Sequence, residues 1–509
     1  MFIMKNHTLF TILNDTKLDE FILTLKSFQE IIDTDRLKQI LNSITYPYTV
    51  ALEKIYNDKT YRDSYYHHFA SKYSSYSKNS KRLAVFASET IELEDFFSKE
   101  GHGKLQKCFI GTIVLKPIYP GTIGKTLLSP LGINVSNVCI RTTKFDSVFL
   151  GVELSVESFP FSSQDSETMT CAETAIWSLM KYYGTRYPVY KVALPSDIHK
   201  STDGNSFERV LPSIGLAYSQ SSGALKSFGF YPRFYASEVE NTKNSKILNR
   251  ILTYYISSGI PTLCGINLVN TNSISGHLVV CVGHENTMDF NSVPVHQNRN
   301  KSVSFIDFAD TIRKFSFMDD NQVPFALQSY SSFEYYTSNG FDSTNIKYLI
   351  IPLYKRIFLT AENASTYFYN IFKQDEIGLS KVNYQTQEPF VIKIFLASSR
   401  KYKHFRSTKY SHIDVAKRYL DIPFPKFIWV AEIGTKDTIR NNKIIGEVIL
   451  DATASGNNVN ESIIAIHYPG IIAHRNPEEN FNDMLKNAQS FSPVDIEYDS
   501  FDLNLTCIE

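Results

Sequence analysis

The chain has 509 residues, of which 43% are hydrophobic and 20% are charged, a composition typical of folded globular proteins and not of disordered ones. This length is too great for one hydrophobic core and predicts roughly two to four domains. Lys plus Arg and Asp plus Glu each number 52. The balanced charge excludes a protein whose overall field attracts nucleic acid or an acidic membrane surface.

The cysteines and the N-terminal segment predict the cellular compartment of the protein. The six cysteines form neither a CxxC pair nor the spacing of a disulfide framework. Polar residues interrupt the apolar ones at the N-terminus, which therefore lacks the continuous apolar segment of a signal peptide. The sequence contains no run of roughly 18 apolar residues that could span a membrane. These features predict a cytoplasmic protein with reduced thiols, in which a well-placed cysteine is more often chemical than structural.

Three regions follow one another along the chain. Helical apolar spacing followed by strand patterns predicts a first domain, residues 1–158, in which helices precede strands. Residues 159–346 combine helix patterns with strand patterns and form the predicted central domain. Strand-like runs bounded by turns predict a separate mixed α/β domain over residues 347–509, whose acidic tail from Pro493 is expected to pack loosely. The expected fold class is α+β.

The segment from Gln164 to Gly184, QDSETMTCAETAIWSLMKYYG, contains the strongest motif of the chain. Thr170 followed by Glu173 is a capping-box pattern, so Thr170 is predicted as the N-cap of a helix and Cys171 as its first residue. Apolar residues follow at helical spacing, and Gly184 is predicted to end the helix. A thiol in this first turn lies among unpaired backbone N–H groups, which favour the nucleophilic thiolate.

A cysteine nucleophile needs an imidazole, a group that orients the imidazole and donors for the oxyanion. His277 follows a glycine turn and opens the apolar strand LVVCV. Asp307 ends the next strand pattern, SFIDF, and antiparallel pairing of these strands would bring it beside His277. Asp310 is the alternative orienting residue. Gln164 precedes Cys171 closely enough to turn its amide toward the start of the helix.

This arrangement resembles the papain-like cysteine peptidases, and most closely their C39-like branch. The matching text is QDSETMTCAETAIWSLMKYYG, YYISSGIPTLCGINLV, SGHLVVCVGH and SFIDF. The resemblance implies a papain-like central domain with a helical lobe and an antiparallel sheet, and a peptide or protein substrate cleaved without a cofactor. It implies that Cys171 is the nucleophile and His277 the base. Asp307 would then orient the histidine, and Gln164 would donate to the oxyanion.

Other functions stay open. A catalytically silent papain-like fold would serve as a binding module in a larger complex, and the same thiol could transfer an acyl group, as transglutaminase-type enzymes do. The flanking regions would hold protein partners or select the substrate. A metal site from His277, Cys281 and His284 is disfavoured, because strand alternation separates His284 from the other two residues. The polar segment 284–301 is expected to form a mobile insert beside the cleft, where it could act as a lid.

Overall fold

Three large, mainly antiparallel sheets, two two-stranded sheets and the helices packed on them form an α+β fold in the computed structural model. None of the helices in the described part of the chain is long and apolar enough to cross a membrane. The structure describes residues 2–3, 6–28, 33–204, 209–236, 242–271, 273–374, 388–409, 413–455, 459–490 and 497–509.

The first sheet has the strand order β1-β2-β3-β4-β5-β6, with every neighbouring pair antiparallel. Helices interleave with these strands, so the prediction that helices precede strands is wrong. The elements of this region are β1 Phe2–Ile3, β2 His7–Ile12, α1 Asp15–Phe28, α2 Thr34–Asn42, β3 Tyr48–Tyr56, α3 Lys59–His67, β4 Ser80–Ala87, α4 Lys99–Cys108, β5 Phe109–Leu115, β6 Ile123–Leu128, β7 Val138–Ile140, β8 Thr143–Phe149 and β9 Val152–Ser158.

The middle of the chain supplies most of a second, central sheet. Its first helix continues past Gly184 to Arg186, so the predicted helix end is two residues early. The elements of this region are α5 Cys171–Arg186, α6 Pro195–Asp203, α7 Tyr218–Ser227, β10 Arg233–Ala236, α8 Thr242–Ser257, β11 Thr262–Asn270, β12 Ser273–Glu285, β13 His296–Gln297, β14 Ser304–Asp307, β15 Lys314–Met318, β16 Ala326–Ser329, α9 Glu334–Ser338 and β17 Ser343–Ile351.

The rest of the chain supplies most of the third sheet. Its elements are α10 Ala361–Gln374, β18 Phe390–Ser398, α11 Ser399–Lys409, α12 Ile413–Asp421, β19 Phe427–Gly434, α13 Lys436–Arg440, β20 Lys443–Ile444, β21 Gly446–Asp451, α14 Val459–Ser462, β22 Ile463–Tyr468, β23 Ile471–His474, α15 Phe481–Lys486, β24 Gln489–Ser490, β25 Tyr498–Asp499 and β26 Thr506–Ile508.

The central sheet has the order β10-β17-β11-β12-β15-β16, with β7 beside the end of β12 and β26 beside β7. The apolar run of β12 is continuous because both faces of the strand are buried. Leu278 and Val280 pack in the core that contains α5, whereas Val279 and Cys281 pack in the core that contains α8. The histidine-bearing strand is therefore fixed between two helical layers.

The third sheet has the order β13-β14-β18-β19-β21-β22-β23-β24, and β14 pairs with β18 in parallel. After β12 the chain leaves the central sheet, forms β13 and β14 in the third sheet, and returns as β15. The segment 284–301 carries the chain into the third sheet and packs Met288, Phe290 and Val293 against the core there. The described positions give no support to a mobile lid beside the cleft.

Strands from the flanking regions complete the central sheet. β7 comes from the predicted first domain and β26 from the predicted third domain, while β17 crosses the predicted boundary between residues 346 and 347. The three predicted regions are thus joined by shared sheets.

The C-terminal tail is docked, which contradicts the expectation of loose packing, although Pro493 itself lies outside the described residues. The backbone N–H of Phe501 donates to the buried carboxylate of Glu432 at 2.7 Å. Cys507 of β26 faces Cys139 of β7, and the two form a disulfide. The expectation that all six thiols are reduced is therefore wrong. Disulfides persist in oxidising compartments and are rare in the cytosol. The bond therefore does not support the cytoplasmic location, which stays a prediction.

The disulfide determines how many thiols can be alkylated. The chain denatured without reductant should take up iodoacetamide at the four free cysteines and at all six after reduction, as read from the intact mass. The variant Cys507→Ser should be labelled at one additional position, Cys139, before reduction. Six labels on the unreduced wild-type chain would contradict the pairing.

Candidate functional site

Cys171 is the first residue of α5, and Thr170 is its N-cap, as the sequence predicts. The hydroxyl of Thr170 donates to the carboxylate of Glu173 and caps no backbone N–H group, so the capping box itself is not formed. Ser213 donates to the other oxygen of the same buried carboxylate. No side chain of the N-cap therefore occupies the first-turn N–H groups, and the half-buried thiol of Cys171 lies at the positive end of the helix dipole, which favours an anion.

Asp165 shapes the loop that leads into α5. Its Oδ1 atom accepts hydrogen bonds from the backbone N–H groups of Glu167, Thr168 and Met169 at 3.0, 2.7 and 2.8 Å. Its Oδ2 atom accepts the hydroxyl of Thr168 at 2.6 Å. This carboxylate fixes the backbone between Gln164 and the helix, and the sequence interpretation missed it. An Asp in a polar loop before a helix is a known turn signal that could have indicated it, because its side chain accepts backbone N–H groups of the residues that follow.

His277 lies between the thiol and a carboxylate. Its Nε2 atom is 2.9 Å from Oδ1 of Asp319, and both side chains are buried. The thiol of Cys171 is close enough to the same imidazole for its hydrogen bond to raise the pKa of His277. Because Asp319 engages Nε2, Nδ1 is the ring nitrogen available to the thiol.

The charges of this cluster favour an imidazolium–carboxylate pair. Burial lowers the pKa of His277, but the carboxylates of Asp319 and Asp320 raise it more strongly, to well above the ordinary value. Burial raises the pKa of Asp319, but the charge and the hydrogen bond of His277 hold it below the ordinary value. Burial and the neighbouring Asp319 raise the pKa of Asp320 to about 6, despite the opposing charge of His277.

Hydrogen bonds hold Asp319 in place on every side. The hydroxyl of Tyr336 donates to both carboxylate oxygens at 3.0 and 2.9 Å. Gln322 Nε2 donates to Oδ2 at 2.7 Å, and the backbone N–H of Asn321 donates to Oδ1 at 2.9 Å. A carboxylate with this many donors is suited to orient an imidazole and to balance its charge.

Asp320 has the opposite surroundings. Its Oδ1 atom lies 3.4 Å from Nε2 of His277, and its buried Oδ2 atom has no hydrogen-bond partner among the described residues. The backbone carbonyl of Asp320 accepts from Arg36 of α2 at 2.8 Å, and that of Gln322 accepts from the same guanidinium at 3.2 Å. The first region of the chain therefore holds the turn that carries both acidic residues.

Gln164 reaches the same cluster through Asn321. Its Nε2 atom donates to Oδ1 of Asn321 at 3.4 Å, and Nδ2 of Asn321 lies 3.4 Å from Nε2 of His277. The structure thus brings Gln164, Cys171 and His277 together. The backbone N–H of Cys171 has no acceptor within the helix, because it belongs to the first helical residue.

Asp307 is not the partner of His277, and this part of the predicted triad is wrong. Its carboxylate accepts the hydroxyls of Tyr254 and Tyr369 and the backbone N–H of Ala309, the last at 2.8 Å. The cause is topological: β14, which ends in Asp307, belongs to the third sheet. The strand after β12 in the chain that pairs with it in antiparallel fashion is β15, and Asp319 follows β15 directly. The signal was present in KFSFMDD, a second strand pattern that ends in acidic residues.

The alternative, Asp310, is also excluded as the orienting residue. Its two carboxylate oxygens accept Nε and a terminal nitrogen of Arg250 at 2.7 and 2.6 Å. This bidentate pair ties the turn after β14 to α8 and explains the acidic residue without catalysis.

The metal ligands considered from the sequence do not form a cluster with one another. Within the described ranges, the one group of three acidic, histidine or cysteine ligands whose atoms lie within 4.8 Å consists of His277, Asp319 and Asp320. Cys281 donates to the carbonyl of Gly283 at 3.5 Å instead. Burial lowers the pKa of His284 to about 4, and its Nδ1 atom bonds with a backbone carbonyl at 2.7 Å.

An aromatic wall, formed by Tyr218, Phe234 and Tyr348, borders Cys171. The rings of Tyr218 and Phe234 stack at 5.0 Å, and those of Phe234 and Tyr348 are 5.6 Å apart. Burial and the nearby Cys171 raise the pKa of Tyr348 to about 12. The ring of Tyr348 lies over Gly265, where a Cβ atom would come within 2.2 Å of it. The rings of Tyr218 and Phe234 remain exposed and continue the apolar surface that begins at Tyr348, the ring near the thiol.

Comparison with known proteins adds no relative: no protein-family model and no curated protein matches this chain. Its function must therefore be inferred from the geometry of Cys171, His277 and Asp319.

Proposed function

We propose that this chain is a papain-like cysteine hydrolase that cleaves a peptide or isopeptide bond. The observation that carries this proposal is a half-buried thiol at a helix N-terminus, near enough to a buried imidazole to raise its pKa, while Nε2 of the same ring meets a buried carboxylate. α5, β12 and the turn after β15 each supply one of these groups. Such convergence of three separate elements is what a nucleophile, a base and an orienting group require.

The roles follow from the positions of the atoms. His277 takes the proton of the Cys171 thiol, and the sulfur attacks the carbonyl carbon of the scissile bond. The imidazolium then returns the proton to the leaving amine, which departs and leaves an acyl-enzyme. Water, deprotonated by His277, attacks the thioester, releases the carboxylic acid and restores the thiol.

Asp319 acts through the imidazole. The raised pKa of His277 means that the imidazolium is favoured near neutral pH, and the thiolate gains a positive neighbour. Nε2 of Gln164 and the backbone N–H of Cys171 are the donors proposed for the oxyanion of the tetrahedral intermediate. The aromatic wall would contact an apolar part of the substrate next to the scissile bond.

Alkylation of Cys171 tests the proposal. We expect iodoacetamide to modify Cys171 near neutral pH faster than the buried Cys108, Cys264 and Cys281, as read by peptide mass spectrometry. His277→Ala should slow this reaction by roughly tenfold or more, because the thiolate loses its cationic partner. Asp319→Asn should also slow it.

The matched control is Asp310→Asn, which removes an acidic residue of the neighbouring turn that does not contact the histidine. This variant should react at the wild-type rate. If Cys171 reacts no faster than the buried cysteines, the hydrolase proposal is wrong and a catalytically silent binding module becomes the favoured function. Product formation with an added primary amine in place of water would instead support acyl transfer by the same residues.

The two adjacent acidic residues should affect stability with opposite signs. Asp319, whose pKa is lowered by folding, stabilises the protein above the ordinary pKa of 3.8, and this contribution is lost as the pH falls through the lowered value. Asp319→Asn should therefore cost roughly 3 kcal/mol or more near pH 7, since it leaves a buried imidazolium unpaired.

Asp320 has a pKa raised to about 6, so folding disfavours its charged form and the penalty develops as the pH rises from 3.8 through about 6. Asp320→Asn should increase the free energy of unfolding at pH 8 by on the order of 1 kcal/mol and leave it unchanged near pH 3. Urea denaturation at both pH values measures the difference. Equal destabilisation by both variants at pH 8 would show that Asp320 shares the role of charged partner.

A further inference from the structure

A cavity of about 280 Å³ lies at the C-terminal end of α5. Cys171 is at the opposite end of this 16-residue helix, roughly 24 Å away at the usual rise per residue. The cavity is bounded by the end of α5, by the turn after α8, by β18 and the start of α11, and by Asn504 of the tail. It is therefore separate from the proposed catalytic site.

The lining of this cavity is cationic. Arg141, Lys401 and Lys426 line it, and the described lining residues include neither Asp nor Glu. The charge of Arg186 also reaches the cavity, because it lowers the pKa of both Tyr187 and Lys401. Of these cations Arg141 is buried, Lys401 is half-buried and Lys426 is exposed. A buried positive charge without a carboxylate is costly and is expected where an anion completes the site.

Arg141 is 7% exposed and has only neutral partners among the described residues. Its guanidinium donates to the hydroxyls of Tyr182 and Tyr187 at 2.7 and 3.2 Å. It also donates to the backbone carbonyls of Leu503 and Asn504, the former at 3.5 Å. These bonds hold the planar group in one orientation but leave its charge without a counter-ion.

Lys401 is half-buried and makes no hydrogen bond or ion pair within the described part of the chain. Burial lowers its pKa, and the charges of Arg141 and Arg186 lower it further. It lies in the first turn of α11, at the positive end of the helix dipole. The ammonium is thus held next to Arg141 by the fold, with no described acidic partner.

Aromatic rings form the other walls. Tyr187, Tyr190, Tyr354 and Phe427 line the cavity, and the ammonium of Lys426 lies 4.4 Å from the ring centre of Tyr354. Burial raises the pKa of Tyr187, but Arg141 and Arg186 outweigh it and bring the value to about 8. The surface therefore offers flat apolar contacts beside a concentrated positive charge.

We propose that this cavity binds a small planar organic anion, with its phosphate or carboxylate group between Arg141 and Lys401 and its ring against the tyrosine side chains. The volume lies at the lower end of the range for small-molecule sites, which limits the ligand to a single ring or a body of similar size. This inference does not depend on the reactivity of Cys171.

Phenyl phosphate, benzoate and the neutral benzyl alcohol are the probes that test it, by calorimetric titration and thermal unfolding of the full chain. We expect at least one of the two anions to bind and to raise the melting temperature, and the alcohol to do neither. Preference for phenyl phosphate would identify a phosphate ligand, and preference for benzoate a carboxylate. If neither anion binds at millimolar concentration, or if the alcohol binds as tightly, the proposal is wrong.

Lys401→Gln should weaken anion binding by roughly tenfold or more, because it removes a charge-assisted hydrogen bond. The melting temperature without ligand should stay unchanged or rise, since the variant removes a half-buried charge next to Arg141. Lys409→Gln, at the exposed far end of the same helix, should bind the anion like the wild type. Equal affinity in the wild type and in Lys401→Gln would overturn the proposal.

Discussion

A buried imidazolium–carboxylate pair is the interaction on which the proposed site depends. Removing two charges from water costs several kcal/mol for each, and their attraction repays this cost only when hydrogen bonds satisfy the remaining atoms. Asp319 meets that condition through Tyr336, Asn321 and Gln322. Arg36, from the first region, holds the backbone of the same turn. The position of the histidine thus rests on residues from distant parts of the chain.

The free cysteines show how the fold separates chemical from structural thiols. Cys108, Cys264 and Cys281 are buried, whereas Cys171 is half-buried at a helix N-terminus and beside an imidazole. Burial makes a thiol behave as a small hydrophobic group, while an exposed, electropositive position makes it reactive. The environment of Cys171, and not the residue type alone, distinguishes it.

Local features of the site could be predicted from the sequence, and long-range pairings could not. Thr170 as N-cap and Cys171 as first helical residue follow from a few neighbouring residues, and the structure confirms both. Asp307 and Asp319 each follow a short apolar strand, so the local pattern does not distinguish them. The two residues are distinguished only by the sheets to which their strands belong. The strand of Asp307 pairs with β18, whereas the strand before Asp319 pairs with β12.

The same limitation explains the errors at the domain level. The partners of the disulfide are 368 residues apart, and no local pattern marks either cysteine. The central sheet receives strands from all three predicted regions, whereas composition and turn signals divide the chain only in sequence order. Local helix and strand patterns are enough to predict the class α+β, but sheets shared between regions make the domain boundaries unpredictable.

The pairing of β26 with β7, and of β7 with the end of β12, has a consequence for biosynthesis. The strand that carries His277 is synthesised in the middle of the chain, but the edge formed by β7 and β26 cannot close until residues 506–508 have been made. Domains usually fold in order as they leave the ribosome. Here one edge of the histidine-bearing sheet stays open until residues 506–508 have been made, so a translation product truncated before them would lack that strand.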